Sequence, residues 1–165
     1  MSWLVVAVPV AVGVVASLVL GLRSAAGDVI NDASIDDQVA ELPPLIGDSH
    51  ESVRMATDFD PRLFDRKEMQ AAIDKAIRNG AEVRMISEGD PPSWYVKRVG
   101  VQIRHSDKLA THVTIVDSRH TRVEKPHEFR RFGLSRGDTG VVFTDFPQLA
   151  EKHGEVFDRL WKSLS

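Results

Sequence analysis

His112 is the residue around which chemistry can be assembled in this chain. It opens the apolar, β-branched run that ends at Val116, inside the stretch Lys108–Arg122. Lys108, Arg119 and Arg122 lie close to it in sequence, Asp117 or Asp107 could fix the tautomer of its ring, and His105 or His120 could hand a proton to a leaving group. An imidazole with a carboxylate orienter and neighbouring cations is what nucleophilic or acid–base attack on an anionic centre requires. The competing reading is structural. A strand histidine beside a turn more often serves as a hydrogen-bonded ring, and an aspartate at a strand end more often closes the turn through the backbone two residues on.

The elements that must position His112 are short. Thr111–Val116 reads as a strand, the polar cluster Asp117-Ser118-Arg119-His120 as a turn, and Thr121–Glu124 as the hairpin partner. Side chains alternate across a strand, so Ala110, His112, Thr114 and Val116 share one face, while Thr111, Val113 and Ile115 take the other. His112 therefore shares a face with a core residue.

From Glu51 onward strands and helices alternate. Ser52–Phe59 alternates polar and apolar residues and stops at Asp60-Pro61. Asp65 is placed to cap a helix over Arg66–Asn79, whose stripe is Met69, Ala72, Ile73, Ala76 and Ile77, with Gly80 just past its end. Glu82–Ile86 is the next strand, so the intervening helix predicts a right-handed parallel crossover. A loop over Ser87–Pro92, a short helix over Trp94–Val99, strands over Val101–His105 and Thr139–Thr144, and a closing helix over Pro147–Leu164 complete an α/β pattern.

This order, and the stretch 109–117 within it, resembles the phospholipase D superfamily. That family carries the strand Leu-His-x-Lys-φ-φ-φ-φ-Asp, the core of a His-x-Lys-x4-Asp motif. Ala76–Ile86 is similar to the family's helix-Gly-x-x-Val-Arg segment, and Phe157-Asp-Arg-Leu-Trp161 to its closing helix. The resemblance implies a mixed sheet flanked by helices, built as a half-domain with a single motif. It also implies a histidine that attacks phosphodiester phosphorus, a lysine that holds the non-bridging oxygens, and two copies meeting at one site. In this chain the motif is degenerate. With Leu109 and Asp117 on the family's leucine and aspartate, Ala110 takes the histidine position and His112 the lysine position. With His112 as nucleophile, Thr114 replaces lysine and Arg119 replaces aspartate. The family's Gly-Ser-x-Asn segment has only Gly133-Leu134-Ser135-Arg136-Gly137 as its nearest counterpart.

Two functions follow from the resemblance. The first is a pseudoenzyme, a non-catalytic module that recognises a phosphate-bearing ligand or a protein partner. The alternative is an active phosphodiesterase, a nuclease or phospholipase, with catalytic His112 and Asp117 completed by homodimerisation. The expected phosphate-binding set is Lys108, Arg119, Arg122 and Lys125. Between Arg119 and Arg131 five lysines or arginines face only Glu124 and Glu128, and arginine's planar fork suits the oxygens of a phospholipid head group or a nucleic-acid backbone. An ordinary mixed-charge loop is the plainer reading of that segment. Phe129 and Phe132 are read as anchors of this loop to the core. No metal site and no cofactor is expected, because His105, His112, His120 and His127 lack the spacing of a helical ligand pair, and no glycine-rich nucleotide loop opens a helix.

Composition sets the outer bounds. The 165 residues carry a net charge of −3 and no cysteine, which excludes disulfide frameworks and thiolate zinc fingers. Trp3–Leu22 is free of charge over 20 residues, enough for a helix of about 30 Å, the thickness of bilayer hydrocarbon. A single-pass membrane anchor over 1–23 is the direct reading. A cleaved signal peptide ending at Ser24-Ala25-Ala26 is disfavoured by the uncharged Met1-Ser2 and the length of the apolar block. Arg23 is the flanking cation, which places the following domain in the cytoplasm. Gly13, Ser17 and Gly21 would line one face of that helix and could serve as a seam for a second copy; the plainer reading is that small residues are frequent in such helices. Residues 24–50 read as an acidic linker with one short helix, capped by Ser34 and ended by Pro43, leaving 51–165 as the phospholipase D-like domain.

Overall fold

The computed structural model describes residues 27–124 and 140–164. Among these, the strands β1 (Asp28–Ala33), β2 (Ser52–Thr57), β3 (Glu82–Glu88), β4 (Val101–Ser106), β5 (His112–Val116), β6 (His120–Glu124) and β7 (Gly140–Thr144) form one mixed sheet, ordered β1-β7-β6-β5-β2-β3-β4. β2, β3 and β4 run parallel. The pairs β2–β5, β5–β6, β6–β7 and β7–β1 are antiparallel.

Alternation along the strands divides the core between the two faces of the sheet. On one face Val53, Met55, Val83, Met85 and Val116 meet the helices α1 (Ile35–Gly47), α2 (Pro61–Phe64), α3 (Lys67–Arg78) and α4 (Ser93–Val96). On the other, Ala56, Ile86 and Ile115 meet Ala150, Phe157 and Trp161 of α5 (Pro147–Ser163). α3 buries Met69, Ala72, Ile73 and Ala76 as expected of its stripe. It follows α2, which takes the Asp60 cap through the Arg62 amide at 2.9 Å. Arg66 rather than Asp65 stands at the N-terminus of α3 and makes no side-chain cap.

The acidic stretch 24–50 is more than a spacer. β1 pairs antiparallel with β7 and stands at the end of the strand order among the described residues. Ser34 caps the start of α1 as expected, with Asp37 completing a capping box, but the helix runs on through Pro43 and Pro44 to Gly47. Burial of Leu42, Pro43 and Ile46 beside α3 offsets the backbone bonds the prolines cannot donate.

No helix among the described residues is long and apolar enough to cross a membrane, and the expected anchor Trp3–Leu22 lies outside them. The basic segment containing Lys125, Phe129, Arg130, Arg131 and Phe132 also lies outside. The hairpin turns tightly. Asp117 and Ser118 both take φ of 50°, the Arg119 amide donates to the Val116 carbonyl at 3.0 Å, and three residues, Asp117, Ser118 and Arg119, separate the paired Val116 and His120.

Candidate functional site

With three residues between Val116 and its partner His120, the register of the hairpin is a matter of counting. His112 pairs directly with Glu124, and Thr114 with Arg122, so these four side chains share one face of the sheet. β5 runs antiparallel to β2, which brings its first residue, His112, to the carboxyl ends of the parallel strands. Asp58 follows the last residue of β2, and Glu88 is the last residue of β3. In open α/β sheets this edge is where ligands are bound.

The result is a buried polar cluster. His112 Nδ1 lies 3.2 Å from Glu124 Oε2 and 3.6 Å from Asp58 Oδ1, and its Nε2 lies 3.5 Å from Glu88 Oε2. The Arg122 guanidinium, 2% exposed, donates from Nη2 to Glu124 Oε2 at 3.0 Å and from Nε to Gln38 Oε1 at 2.6 Å. Gln38, fully buried on α1, donates in turn to the Ala33 carbonyl at 3.0 Å. At the far side, Glu88 Oε2 accepts the Leu109 amide at 2.9 Å. A continuous polar chain therefore joins β1, α1, β6, β5 and β3, and buried charge survives there because it is paired and hydrogen-bonded.

Electrostatics in the cluster favour positive charge. Burial pushes the His112 imidazole down, but the Glu124 bond and the Asp58 charge outweigh it and hold the ring above its ordinary value. Burial lowers Arg122, with Glu124 opposing. For attack on a phosphodiester the imidazole needs an open, neutral nitrogen with cations about it. Here both ring nitrogens face carboxylates and the side chain is 4% exposed. An incoming phosphate oxygen held near 4 Å from any one of them meets a repulsion of roughly 4 kcal/mol at an effective dielectric constant near 20. Asp58, His112 and Glu124 also bring one ligand atom each within 4.8 Å of one another, a grouping able to hold a metal ion.

Among the described residues expected to act with His112, Arg122 joins it through Glu124. Asp117 sits at the opposite end of β5, where its carboxylate accepts the Ser49 hydroxyl at 2.6 Å and the amides of His50, Glu51 and Ser52 at 3.2, 3.0 and 2.9 Å. It fastens the start of β2. Arg119 lies beyond the turn, exposed, and pairs with Asp145 at 2.6 Å. Lys108 is exposed on the segment leading into β5. His120 pairs with Val116, away from His112, and accepts the Asp145 amide on Nδ1 at 3.1 Å; burial and Arg119 lower its pKa. His105 is exposed on β4, 3.5 Å from Asp107. Sequence reasoning missed Asp58, Glu88, Glu124 and Gln38. The first two carried a usable signal, since each ends a strand of the parallel crossover.

No family model and no curated protein matches the chain. Solved structures do. NucT from Helicobacter pylori superposes with a TM-score of 0.61 at 13% identity, covering 83% of this chain and 96% of that one. Nuc from Salmonella typhimurium, a phospholipase D family member, superposes with a TM-score of 0.56 at 18% identity, covering 82% and 95%. TrmBL2, an archaeal chromatin protein with a novel mode of DNA binding, gives a TM-score of 0.61 at 12% identity over 94% of this chain and 60% of its own, so this chain spans less than two thirds of that protein. At such identities the likeness concerns architecture alone, and with its mixed sheet, parallel crossover and closing helix this chain has the phospholipase D-like fold.

Proposed function

We propose that the chain is a catalytically silent phospholipase D-like module, tethered to a membrane by Trp3–Leu22, that works by binding and not by phosphodiester cleavage. The observation that carries this reading is the carboxylate cage of His112: Glu124 and Asp58 face Nδ1 and Glu88 faces Nε2. A nucleophile so enclosed has no free nitrogen to present, and its surroundings repel the substrate's charge. The degenerate motif supports the same reading, because the position two residues after His112 is Thr114, whose buried side chain carries no cation. Of the described cations expected to cradle phosphate, Arg122 is buried against Glu124 and Gln38, Arg119 pairs with Asp145, and Lys108 is exposed.

The test is turnover by the full-length protein in detergent on bis(p-nitrophenyl) phosphate and on single-stranded DNA, beside His112→Ala. The expected result is no hydrolysis above that of the variant. Hydrolysis by the wild type that disappears in His112→Ala would replace this reading with an active phosphodiesterase completed by a second copy. Tethering is checked separately. The full chain is expected to leave the membrane fraction in detergent and to resist extraction by high salt; release by salt alone would remove the anchor from the proposal.

A further inference from the structure

We propose that Asp58, His112 and Glu124 form a binding site for a divalent transition ion of the zinc type. The spacing of the donors is the first ground. Tetrahedral coordination with bonds of about 2.0–2.1 Å puts neighbouring ligand atoms about 3.3–3.4 Å apart. His112 Nδ1 stands 3.2 Å from Glu124 Oε2 and 3.6 Å from Asp58 Oδ1, and the three donors all lie within 4.8 Å of one another, so an ion is held between them once the partly exposed Asp58 carboxylate adjusts.

The second ground is the support behind the imidazole. A ligating histidine characteristically gives its other ring N–H to a carboxylate, which fixes the tautomer and aims the free nitrogen at the metal. Here Nε2 faces Glu88 Oε2 at 3.5 Å, and that same oxygen is held by the Leu109 amide at 2.9 Å. Nδ1 is thereby the nitrogen turned toward Glu124 and Asp58. Glu124 has its own outer support in Arg122, at 3.0 Å.

Charge is the third. With a neutral imidazole, the carboxylates of Asp58, Glu88 and Glu124 exceed the single Arg122 guanidinium among the cluster's members by two negative charges, the deficit a divalent ion fills. One imidazole and two carboxylates, with no thiolate, suit zinc among the transition ions. His112 and Glu124 are buried, whereas the Asp58 side chain is 31% exposed, which leaves a path from solvent and room for a water or a ligand atom at the fourth position. Such an ion is the ligand of the cage described above, but its presence is measured by binding, so it stands or falls apart from the absence of turnover.

The experiment uses full-length protein in detergent, stripped with EDTA, and titrates Zn2+ against a chromophoric chelator, with thermal unfolding followed at each step. Wild type is expected to take up about one equivalent and to gain in Tm. Asp58→Asn and His112→Ala should each weaken uptake at least 10-fold, and Glu88→Gln, which keeps an acceptor for Leu109, should weaken it roughly 10–100-fold by loosening the ring. Should His112→Ala fail to fold, Asp58→Asn decides, because its side chain is partly solvated and the change is isosteric. Folded wild type that takes up no Zn2+ at millimolar concentration overturns the proposal, as does uptake that Asp58→Asn leaves unchanged.

Discussion

His112 Nδ1 and Glu124 Oε2 face each other at 3.2 Å across the β5–β6 ladder, both side chains buried. The same Glu124 oxygen accepts from Arg122, so one carboxylate atom couples a histidine and an arginine that are close on adjacent strands. This sharing makes the cluster cooperative, and cooperativity is measurable.

Arg122→Met removes the cation nearest Glu124 and should cost about 3–5 kcal/mol, because it leaves a buried carboxylate short of a partner. Replacing both residues, Arg122→Met with Glu124→Met, should cost less than the single Arg122 change, since no charge is then stranded at that pair. Urea denaturation of the two singles and the double measures the coupling. Additive losses would show that the contact carries no energy of its own.

Asp117→Ala should destabilise the chain by about 2–3 kcal/mol, the loss expected for a carboxylate that holds several donors at once. The strand start at Ser52 loosens while the His112 cluster stays in place, so amide exchange should rise at His50–Ser52 and remain slow at Arg122 and Glu124.

The acid limb of the stability curve should carry the mark of the same residue. Burial raises the Asp117 carboxyl, but the Ser49 hydroxyl and the amides of residues 50–52 outweigh it and hold it below the usual carboxylate range. Its folded value thus lies below the unfolded value of about 3.9. The stability it contributes is fully present above that unfolded value and is lost as pH falls through the folded one. Unfolding free energy measured from pH 6 down to pH 2 should fall less steeply in Asp117→Asn than in wild type, and identical slopes would rule the linkage out.

Arg54 and Arg84 stand side by side in the β2–β3 register, and Asp158 of α5 bridges them at 3.6 and 3.1 Å. Asp158→Ala leaves two adjacent guanidinium groups without their shared carboxylate, an expected loss of about 1–2 kcal/mol after allowing for partial solvation. The loss should localise to the α5 interface, where Arg84 also lies over the Phe157 and Trp161 rings. Faster hydrogen exchange confined to α5 is the signature to seek; exchange that speeds up evenly across the chain would count against it.

Much of the architecture was legible because it rests on short periods. The stripe of α3, the Ser34 cap and the alternation of β5 all involve residues within a few positions of each other, whereas the three-residue turn that sets His112 opposite Glu124 is one residue shorter than the polar cluster read as the turn, Asp117-Ser118-Arg119-His120. The parallel crossover from β2 to β3 followed from the same local patterns. Misreadings arose where distant packing overrode a local signal. Pro43 was expected to stop α1, yet burial of Leu42 and Ile46 carries the helix past it, and the polar β1 joins the sheet through backbone pairing that no hydrophobic pattern announces.

The sequence by itself determined the strands from β2 onward, the helices α3 and α5 and the histidine at the head of β5, since those depend on alternation, helical period and turn chemistry along a few residues of chain. Only the tertiary structure decided the company His112 keeps. The order β5-β2-β3 is a non-local choice, and it delivers Asp58 and Glu88 from strand ends far apart in sequence, draws Arg122 inward toward Gln38, and leaves Asp117 to hold Ser49, 68 residues earlier. A side chain's charge is written in the chain, but the field it feels is set by which strand ends the sheet makes neighbours.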